Sequence, residues 1–375
     1  MIRGVLFRLH LSVALAAGLL IVTMAATGVV LACEDVVMSV AERRLSVAVR
    51  EDTPRLSPDE IVGAAAVWGE RSGVAVTATS IEYRNRPGAA VQVHAGRDRR
   101  VFVDPYTGEV VGGGFPLLEG FFEGVRGVHR WLGVSGGAMR KGRAVTGAAN
   151  VAFLFLLLTG PLLWLPRRIT RRNLTENLVF RRGVRGPARK LNWHYVVGIW
   201  SFVPLAVISV TGVVMSYPGV GDRVYPVVGT VMGGGGDETA GEGRGVGGGQ
   251  GLAGALAAAR AQVPGWRTIV LTLPRPDHAE VRVEVRTGRS GQPQKAAVLA
   301  VDRETGAVVS AESFRDESPN HRAQELLRYA HTGEYWGLAG QALAGLSALA
   351  VVVLAWTGFT VALVMWRLRR GKRPG

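Results

Sequence analysis

Two stretches of the sequence decide the fold: HLSVALAAGLLIVTMAATG at residues 10–28 and HYVVGIWSFVPLAVISVTG at residues 194–212. Both begin with a histidine, contain no charged residue and end with a Thr-Gly pair whose threonine lies 17 positions after the histidine. Each apolar run of the chain reaches the roughly 20 residues that cross the core of a bilayer. The runs are Leu11–Cys33, Val145–Leu165, Val196–Tyr217 and Leu338–Trp366. The sequence therefore predicts an integral membrane protein with four transmembrane helices.

The net charge of +15 is concentrated in three short segments. Nine Lys and Arg residues lie within 166–194, two precede the first run and five follow the last, and these segments contain one acid, Glu176. The rest of the chain is balanced, with 28 basic and 28 acidic residues. Positive residues in short loops stay cytoplasmic. We therefore predict cytoplasmic termini and a cytoplasmic loop, with the two long segments outside. A soluble nucleic-acid-binding protein would not segregate its charge in this way, so no nucleic acid is expected as a partner.

These features predict an order of segments along the chain. Residues 1–33 form the first transmembrane helix, 34–128 a first outer lobe, and 129–165 the second helix with the segment before it. Residues 166–194 form a basic cytoplasmic loop and 195–217 the third helix. A second outer lobe covers 218–330 and includes a Gly-rich linker at 229–251, which is typical of a flexible connection. Residues 331–366 form the fourth helix and 367–375 a basic cytoplasmic tail.

The second half of the chain repeats the first. Each lobe contains a related motif, VDPYTGEVV at 103–111 and VDRETGAVV at 301–309. A histidine follows each motif, His129 or His331, and then a further Thr-Gly pair at 159–160 or 357–358. We interpret this as an internal tandem duplication of a unit made of helix, lobe and helix. Both copies begin on the same side, which makes the repeat parallel about an axis along the membrane normal.

Each lobe is expected to be a small α+β unit. Ser57 and Pro58 have the residue types of an N-cap and a first helical position, and the run 61–68 follows them; the second lobe has a helical pattern at 252–262. Alternating apolar residues predict strands. The expected strands are 91–94, 100–103, 281–285 and 296–301. The fold class is therefore an α-helical membrane bundle of four helices with two α+β lobes outside.

Four histidines at repeat-related positions indicate a cofactor. His10 and His194 lie near the cytoplasmic ends of the first and third helices, and His129 and His331 precede the second and fourth helices on the outer side. Two imidazoles from two helices can ligate one haem iron axially. We pair His10 with His194 and His129 with His331, which predicts two b-type haems, one near each face. With both axial positions filled, the haems would favour electron transfer over oxygen chemistry.

Other interpretations of these residues stay open. The four histidines could be interfacial residues that cap helices. Zinc or copper fits less well, because no Cys cluster or closely spaced histidine pair accompanies them. The Thr-Gly pairs are assigned to close packing, with each hydroxyl bonding its own helix, and a direct contact with haem is left undecided. The remaining histidines are interpreted as surface or structural residues: His94, His278 and His321.

The chain resembles the PepSY-associated transmembrane helix family, also called iron-regulated membrane proteins. The resemblance covers nearly the whole chain. The segments that carry it are Ser57–Glu60, Val103–Val110, His129–Leu132, Thr159–Arg167 and His331–Gly333. It implies a bacterial inner-membrane protein with PepSY-like periplasmic lobes. Because some relatives look like ferric-siderophore reductases with two b-type haems, it also implies that the four helix histidines are haem ligands.

The leading hypothesis is a transmembrane oxidoreductase that passes electrons to a ferric chelate or siderophore during iron uptake. No flavin or nicotinamide motif is present, so the electron donor would be a membrane quinol or a cytoplasmic protein. The alternative is a PepSY-type anchored protein that binds or regulates a periplasmic partner without redox activity. A transporter is disfavoured because the apolar runs contain no acidic residue. The sequence does not identify substrate-binding or catalytic residues.

Overall fold

The computed structural model describes residues 2–96, 99–232, 250–274 and 279–370. Most of the predicted linker 229–251 and the last five residues of the predicted tail 367–375 lie outside these ranges. The helices are α1 (Ile2–Ala32), α2 (Glu34–Arg43), α3 (Pro58–Arg71), α4 (Pro116–Trp131), α5 (Met139–Trp164), α6 (Arg171–Leu178), α7 (Gly186–Ser216), α8 (Pro218–Val231), α9 (Gly251–Gln262), α10 (Pro319–Thr332) and α11 (Gly337–Arg370). The strands are β1 (Ala78–Arg84), β2 (Val91–Ala95), β3 (Arg99–Val103), β4 (Val110–Gly112), β5 (Thr268–Thr272), β6 (Glu280–Arg286), β7 (Ala296–Asp302) and β8 (Val308–Ser313).

The chain forms two units. One contains residues 1–34, 120–224 and 326–375, and the other contains residues 35–119 and 225–325. The first unit is a bundle built from the four helices that the structure shows to be long and apolar enough to cross a membrane. This confirms the four apolar helices expected from the sequence. The second unit holds all eight described strands.

The four long helices of the bundle pack in a closed ring. Helix α1 contacts α5 and α11, and α7 contacts the same two helices. This order places α1 opposite α7 and α5 opposite α11. The buried apolar residues are contributed by all four helices. They are Ile21, Ala25, Ala149, Leu157, Leu205 and Val351. Polar residues are also buried in the bundle, among them Asn150 of α5 and Ser209 of α7.

Two glycines at matching positions, Gly142 and Gly340, let a short helix pack closely against α5 and α11. A Cβ atom on Gly142 would overlap the carbonyl oxygen of Trp131, and a Cβ on Gly340 would overlap that of Gly333. Trp131 ends α4, and Gly333 directly follows α10. The absence of a side chain therefore lets the end of each short helix pack directly against the long helix that follows it. His129 and His331 lie two residues before these two contact points.

The strands of the two predicted lobes join into one antiparallel sheet. Its order is β4-β3-β2-β1-β5-β6-β7-β8, and β1 pairs with β5 over Ser80–Arg84 and Thr268–Thr272. From the sequence we expected two lobes, and we did not predict β1 or β5, the strands that connect them. Both strands place alternate residues in the core, where Ile81 and Leu271 are fully buried. Joining them removes two sheet edges that would otherwise leave backbone groups unpaired.

Helices α3 and α9 pack on the same apolar core as the strands. Helix α3 begins with the expected N-cap Ser57 and Pro58. The structure adds a capping box, in which Ser57 accepts from the Glu60 N–H and the Glu60 carboxylate accepts from the Ser57 N–H. Glu82 and Arg84 alternate with the core residues Ile81 and Tyr83 along β1. Glu82 of β1 lies 2.9 Å from Arg84 and 3.7 Å from His94, and Arg84 also pairs with Glu42 of α2. The first half of the sheet thus has an ion-pair cluster beside its apolar core.

Candidate functional site

Each of the four predicted ligand histidines is hydrogen-bonded through Nδ1 to the threonine of a Thr-Gly pair. The partner always lies on the other long helix of the same half. The Nδ1–Oγ1 distances are 2.7 Å for His10 and Thr159, 2.9 Å for His129 and Thr27, 3.0 Å for His194 and Thr357, and 3.1 Å for His331 and Thr211. Within each half, one bond therefore joins the two long helices directly, whereas the other joins the short helix α4 or α10 to α1 or α7.

The direction of these hydrogen bonds follows from the second bond that each threonine makes. Every one of the four hydroxyls donates to a carbonyl one turn earlier in its own helix, at 2.7–2.8 Å. A hydroxyl has one proton to donate, so its oxygen must accept from the imidazole. Backbone carbonyls, which only accept, reinforce this for two rings: Leu354 at 3.2 Å from His194 and Ile208 at 2.9 Å from His331. The network thus places the proton on Nδ1 and the lone pair on Nε2.

A neutral imidazole with Nδ1–H held by an acceptor is the form that binds metal through Nε2. Ligating histidines generally donate their other N–H to an oxygen acceptor, which fixes the tautomer and orients the ring. The four Thr-Gly pairs supply this outer contact four times. From the sequence we assigned the hydroxyls to their own helices, which the structure confirms, but we did not predict their bonds to the histidines. The presence of two histidines and two Thr-Gly pairs in each half was the signal that could have revealed the partnership.

The glycines of the same pairs make room for the rings. A Cβ atom would lie 3.5 Å from Cε1 of His129 if built on Gly28, 3.2 Å from Cε1 of His331 if built on Gly212, and 3.3 Å from Cε1 of His194 if built on Gly358. Gly160 differs, because nothing lies within 4 Å of its position. In three of the four pairs, the threonine therefore bonds a ring that the neighbouring glycine accommodates.

The structure brings the histidines together in the pairs expected from the sequence. The ring centroids of His129 and His331 are 6.5 Å apart, with an angle of 66° between the ring planes. His10 lies close enough to His194 to affect it electrostatically. In each pair the residues belong to opposite corners of the helix ring. His10 and His194 are in α1 and α7, whereas His129 and His331 precede α5 and α11.

The His129/His331 distance is compatible with two axial ligands of one iron. A metal–imidazole bond is about 2 Å, so rings that ligate one iron from opposite sides have centroids roughly 6 Å apart. Among the described residues no group of three or more His, Cys, Asp and Glu is arranged to hold a metal ion. The donor set is thus two imidazoles at each end of the bundle. That set fits an iron whose other four ligands come from a porphyrin.

The two histidine pairs are far apart along the bundle. On α1, His10 belongs to one end, and Thr27, the partner of His129, lies 17 positions further on. At 1.5 Å per residue this places the two levels about 25 Å apart. The remaining described histidines lie outside the bundle: His94 is 3.7 Å from Glu82, and the exposed His321 is 3.4 Å from Glu317. These contacts agree with surface or structural roles, while His278 lies outside the described residues.

The predicted basic loop folds around one asparagine next to the His194 site. Asn192 is buried, donates to the carbonyls of Glu176 and Val179, and accepts from the backbone N–H of Arg181. Glu176, the acid of this loop, also pairs with Arg172 and Arg181. The loop is thereby attached to α7 two residues before His194.

A family model described as the PepSY-associated TM region matches residues 7–369. The match includes all four long helices, the eight described strands and the four histidines. No curated protein matches the chain. The chain is a membrane protein that belongs to the family of the PepSY-associated TM region.

Proposed function

We propose that this protein is a dihaem electron-transfer protein that carries electrons across the bacterial inner membrane and reduces a ferric chelate, such as a ferric siderophore, on the periplasmic side. One observation carries the proposal: four histidines, each held through Nδ1 by the threonine of a Thr-Gly pair, form two pairs about 25 Å apart in one bundle. That separation is close to the roughly 30 Å thickness of the bilayer core.

The residues have distinct parts in this proposal. His10 and His194 would hold the cytoplasmic haem, and His129 and His331 the outer one. A bound haem supplies a one-electron Fe(III)/Fe(II) couple whose potential depends on its ligands and surroundings. The threonine hydroxyls hold each imidazole in the ligating tautomer and restrict its rotation. Four packed apolar helices exclude water from the ring contacts. Because protein ligands occupy both axial positions, the acceptor would be reduced without binding to iron.

The charge distribution supports the orientation. The basic segments favour an orientation with both termini and the loop 166–194 in the cytoplasm, in which the His129/His331 pair would lie at the periplasmic end of the bundle. Electrons would then enter at the His10/His194 end, from a membrane quinol or a cytoplasmic donor.

The direct test is the absorption spectrum and haem content of the purified protein. We expect a Soret band that shifts on reduction with dithionite and two haems b per chain. His129→Ala and His331→Ala should each remove one haem and leave the other, and His10→Ala and His194→Ala should remove the opposite one. His321→Ala is the matched control, because His321 is an exposed histidine outside the bundle. A protein without haem, or equal loss of both haems in all four variants, would contradict the proposal.

A second function is favoured by the sheet-containing unit. The sheet ends in two strands, β4 and β8, that each pair with one neighbour, and such edges accept added strands from a partner. The protein would then be an anchored binding or regulatory protein for a periplasmic partner. This function requires no haem, and the four histidine variants would bind the partner as the wild type does.

A further inference from the structure

One buried polar pair in the bundle is not accounted for by the histidine network. Asn150 of α5 is 8% exposed and Ser209 of α7 is 1% exposed. The Ser209 hydroxyl donates to Oδ1 of Asn150 at 3.2 Å. This bond uses the oxygen of the amide, so the two N–H groups of Nδ2 point away from Ser209.

The duplication provides an internal comparison for this pair. Thr159 and Thr357 occupy equivalent positions in α5 and α11, which places Ala348 at the position equivalent to Asn150. In the same way, His10 and His194 align α1 with α7, and Ala25 is equivalent to Ser209. One interface between the halves therefore carries an amide and a hydroxyl, whereas the equivalent interface carries two methyl groups. Simple packing does not require the polar pair, because alanine serves at the equivalent positions.

The amide nitrogen lies beside the ring of His331. A Cβ atom on Gly212 would overlap Nδ2 of Asn150 and would lie 3.2 Å from Cε1 of His331. Both groups therefore approach the same point on α7, and the amide presents its nitrogen there while its oxygen faces Ser209. At the equivalent point of the first half, Gly28 faces Cε1 of His129 and the methyl group of Ala348 at 3.8 Å. An amide therefore occupies this contact on the His331 side, whereas a methyl group occupies the equivalent contact on the His129 side.

We propose that Asn150 sets the reduction potential of the outer haem by turning the positive end of its amide dipole toward the site between His129 and His331, with Ser209 holding the amide in that orientation. This inference rests on the proposed function. Polar groups and hydrogen bonds around a haem are known means of tuning its potential, and they act strongly in a low-dielectric interior. A positive dipole end stabilises the reduced form, which carries one more electron. The amide of Asn150 also makes the outer site asymmetric in an otherwise duplicated bundle.

The test is a potentiometric titration of purified full-length protein, followed by the visible absorption of both haems. Asn150→Leu keeps the approximate size of the side chain and removes the donor. We expect the midpoint potential of one haem to fall, with an equilibrium constant for reduction about tenfold lower, equivalent to 59 mV for one electron. The other haem should keep its potential. Ser209→Ala should shift the same haem in the same direction by a smaller amount, because the amide remains but is no longer held.

The histidine variants identify the haem that responds, since His10→Ala should leave the outer haem as the only haem bound to the protein. Ala348→Asn is the converse control, and it should raise the potential of the same haem. Potentials in Asn150→Leu equal to those of the wild type would overturn the inference while two haems still supported the proposed function. Equal shifts of both haems would also overturn it, because they would indicate a general disturbance. A wild-type protein without haem would overturn both proposals.

Discussion

The hydroxyl oxygen of Thr357 lies 3.0 Å from Nδ1 of His194 and 2.8 Å from the carbonyl oxygen of Val353. The second contact decides the first, because a hydroxyl that donates to its own helix can only accept from the imidazole. The same double contact occurs at Thr27, Thr159 and Thr211. Each threonine thus bonds the backbone of its own helix and also selects the tautomer of a histidine on another helix.

Replacing these threonines by valine should weaken haem binding in a graded way. His10 is hydrogen-bonded to Thr159, whereas His331 has the carbonyl of Ile208 at 2.9 Å in addition to Thr211. We expect Thr159→Val to reduce haem affinity at the His10 site by about 10–100-fold, the usual effect of losing an outer-shell contact. Thr211→Val should have a smaller effect. Haem retention after dialysis against apomyoglobin measures both.

The control for this series is Thr23→Val. Thr23 lies on α1 one turn before Thr27, and its hydroxyl donates to the carbonyl of Leu19. This variant removes the same kind of hydroxyl from the same helix without touching a histidine. If Thr23→Val lost as much haem as Thr159→Val, the tautomer argument would be wrong and the loss would reflect helix packing.

The glycines that receive the ends of α4 and α10 should be intolerant of a methyl group. A Cβ at Gly142 or Gly340 would overlap a backbone carbonyl, which cannot move aside as a flexible side chain can. We expect Gly142→Ala and Gly340→Ala to lower the free energy of unfolding by about 1–3 kcal/mol and to displace His129 or His331. Thermal unfolding in detergent measures the first effect, and the spectrum of the outer haem measures the second.

Gly18→Ala is the matched control in another long helix of the bundle, α1. Nothing lies within 4 Å of the added methyl group, and alanine is the better helix former by about 1 kcal/mol. This variant should therefore unfold at the same temperature as the wild type or a higher one. An equal loss of stability at Gly18 and Gly142 would show that the close approach to Trp131 is not what limits Gly142.

Most of the bundle could be predicted from the sequence, because hydropathy, charge and the histidine repeat are local signals. The capped helix α3 and the strands β2, β3, β6 and β7 were also predicted, since each has a clear period or capping pattern. The joined sheet was not. Pairing of β1 with β5 connects residues nearly 190 positions apart, and no local pattern specifies which two edges will meet. The contact between Asn150 and Ser209 could not be predicted for the same reason, because a lone polar residue in an apolar helix does not indicate which residue it faces.

The ion-pair cluster of the sheet should make the protein sensitive to acid. Burial by itself would raise the pKa of Glu82, but the nearby ring of His94 and the charge and hydrogen bond of Arg84 outweigh it and hold this pKa at about 2. A carboxylate with a lowered pKa contributes stability that is complete above its ordinary pKa of 4.5 and is lost as the pH falls toward 2. We expect the wild type to lose on the order of 1–3 kcal/mol of unfolding free energy over that window, and Glu82→Gln to lose less.

Glu284→Gln is the comparison for that measurement. Glu284 pairs with Arg286 in the second half of the sheet, but its side chain is 34% exposed where that of Glu82 is 14% exposed. Exposed pairs contribute about 0–1 kcal/mol, so this variant should follow the acid unfolding curve of the wild type. Denaturant melts at pH 7 and pH 3 provide the curves. Identical curves for Glu82→Gln and the wild type would show that Glu82 does not control the acid response.

The attachment of the basic loop to α7 gives the last prediction. Asn192 is 6% exposed and makes three hydrogen bonds to the backbone of the segment 176–181. Asn192→Ala would leave three backbone groups without this partner, so the loop should open more often. Trypsin added to the cytoplasmic face of membrane vesicles should then cleave between residues 166 and 194 several times faster. Asn173→Ala is the control, because Asn173 bonds one carbonyl of the same loop through its side chain at an exposed position. If the two variants were cleaved at the same rate, Asn192 would not be the residue that holds the loop against α7.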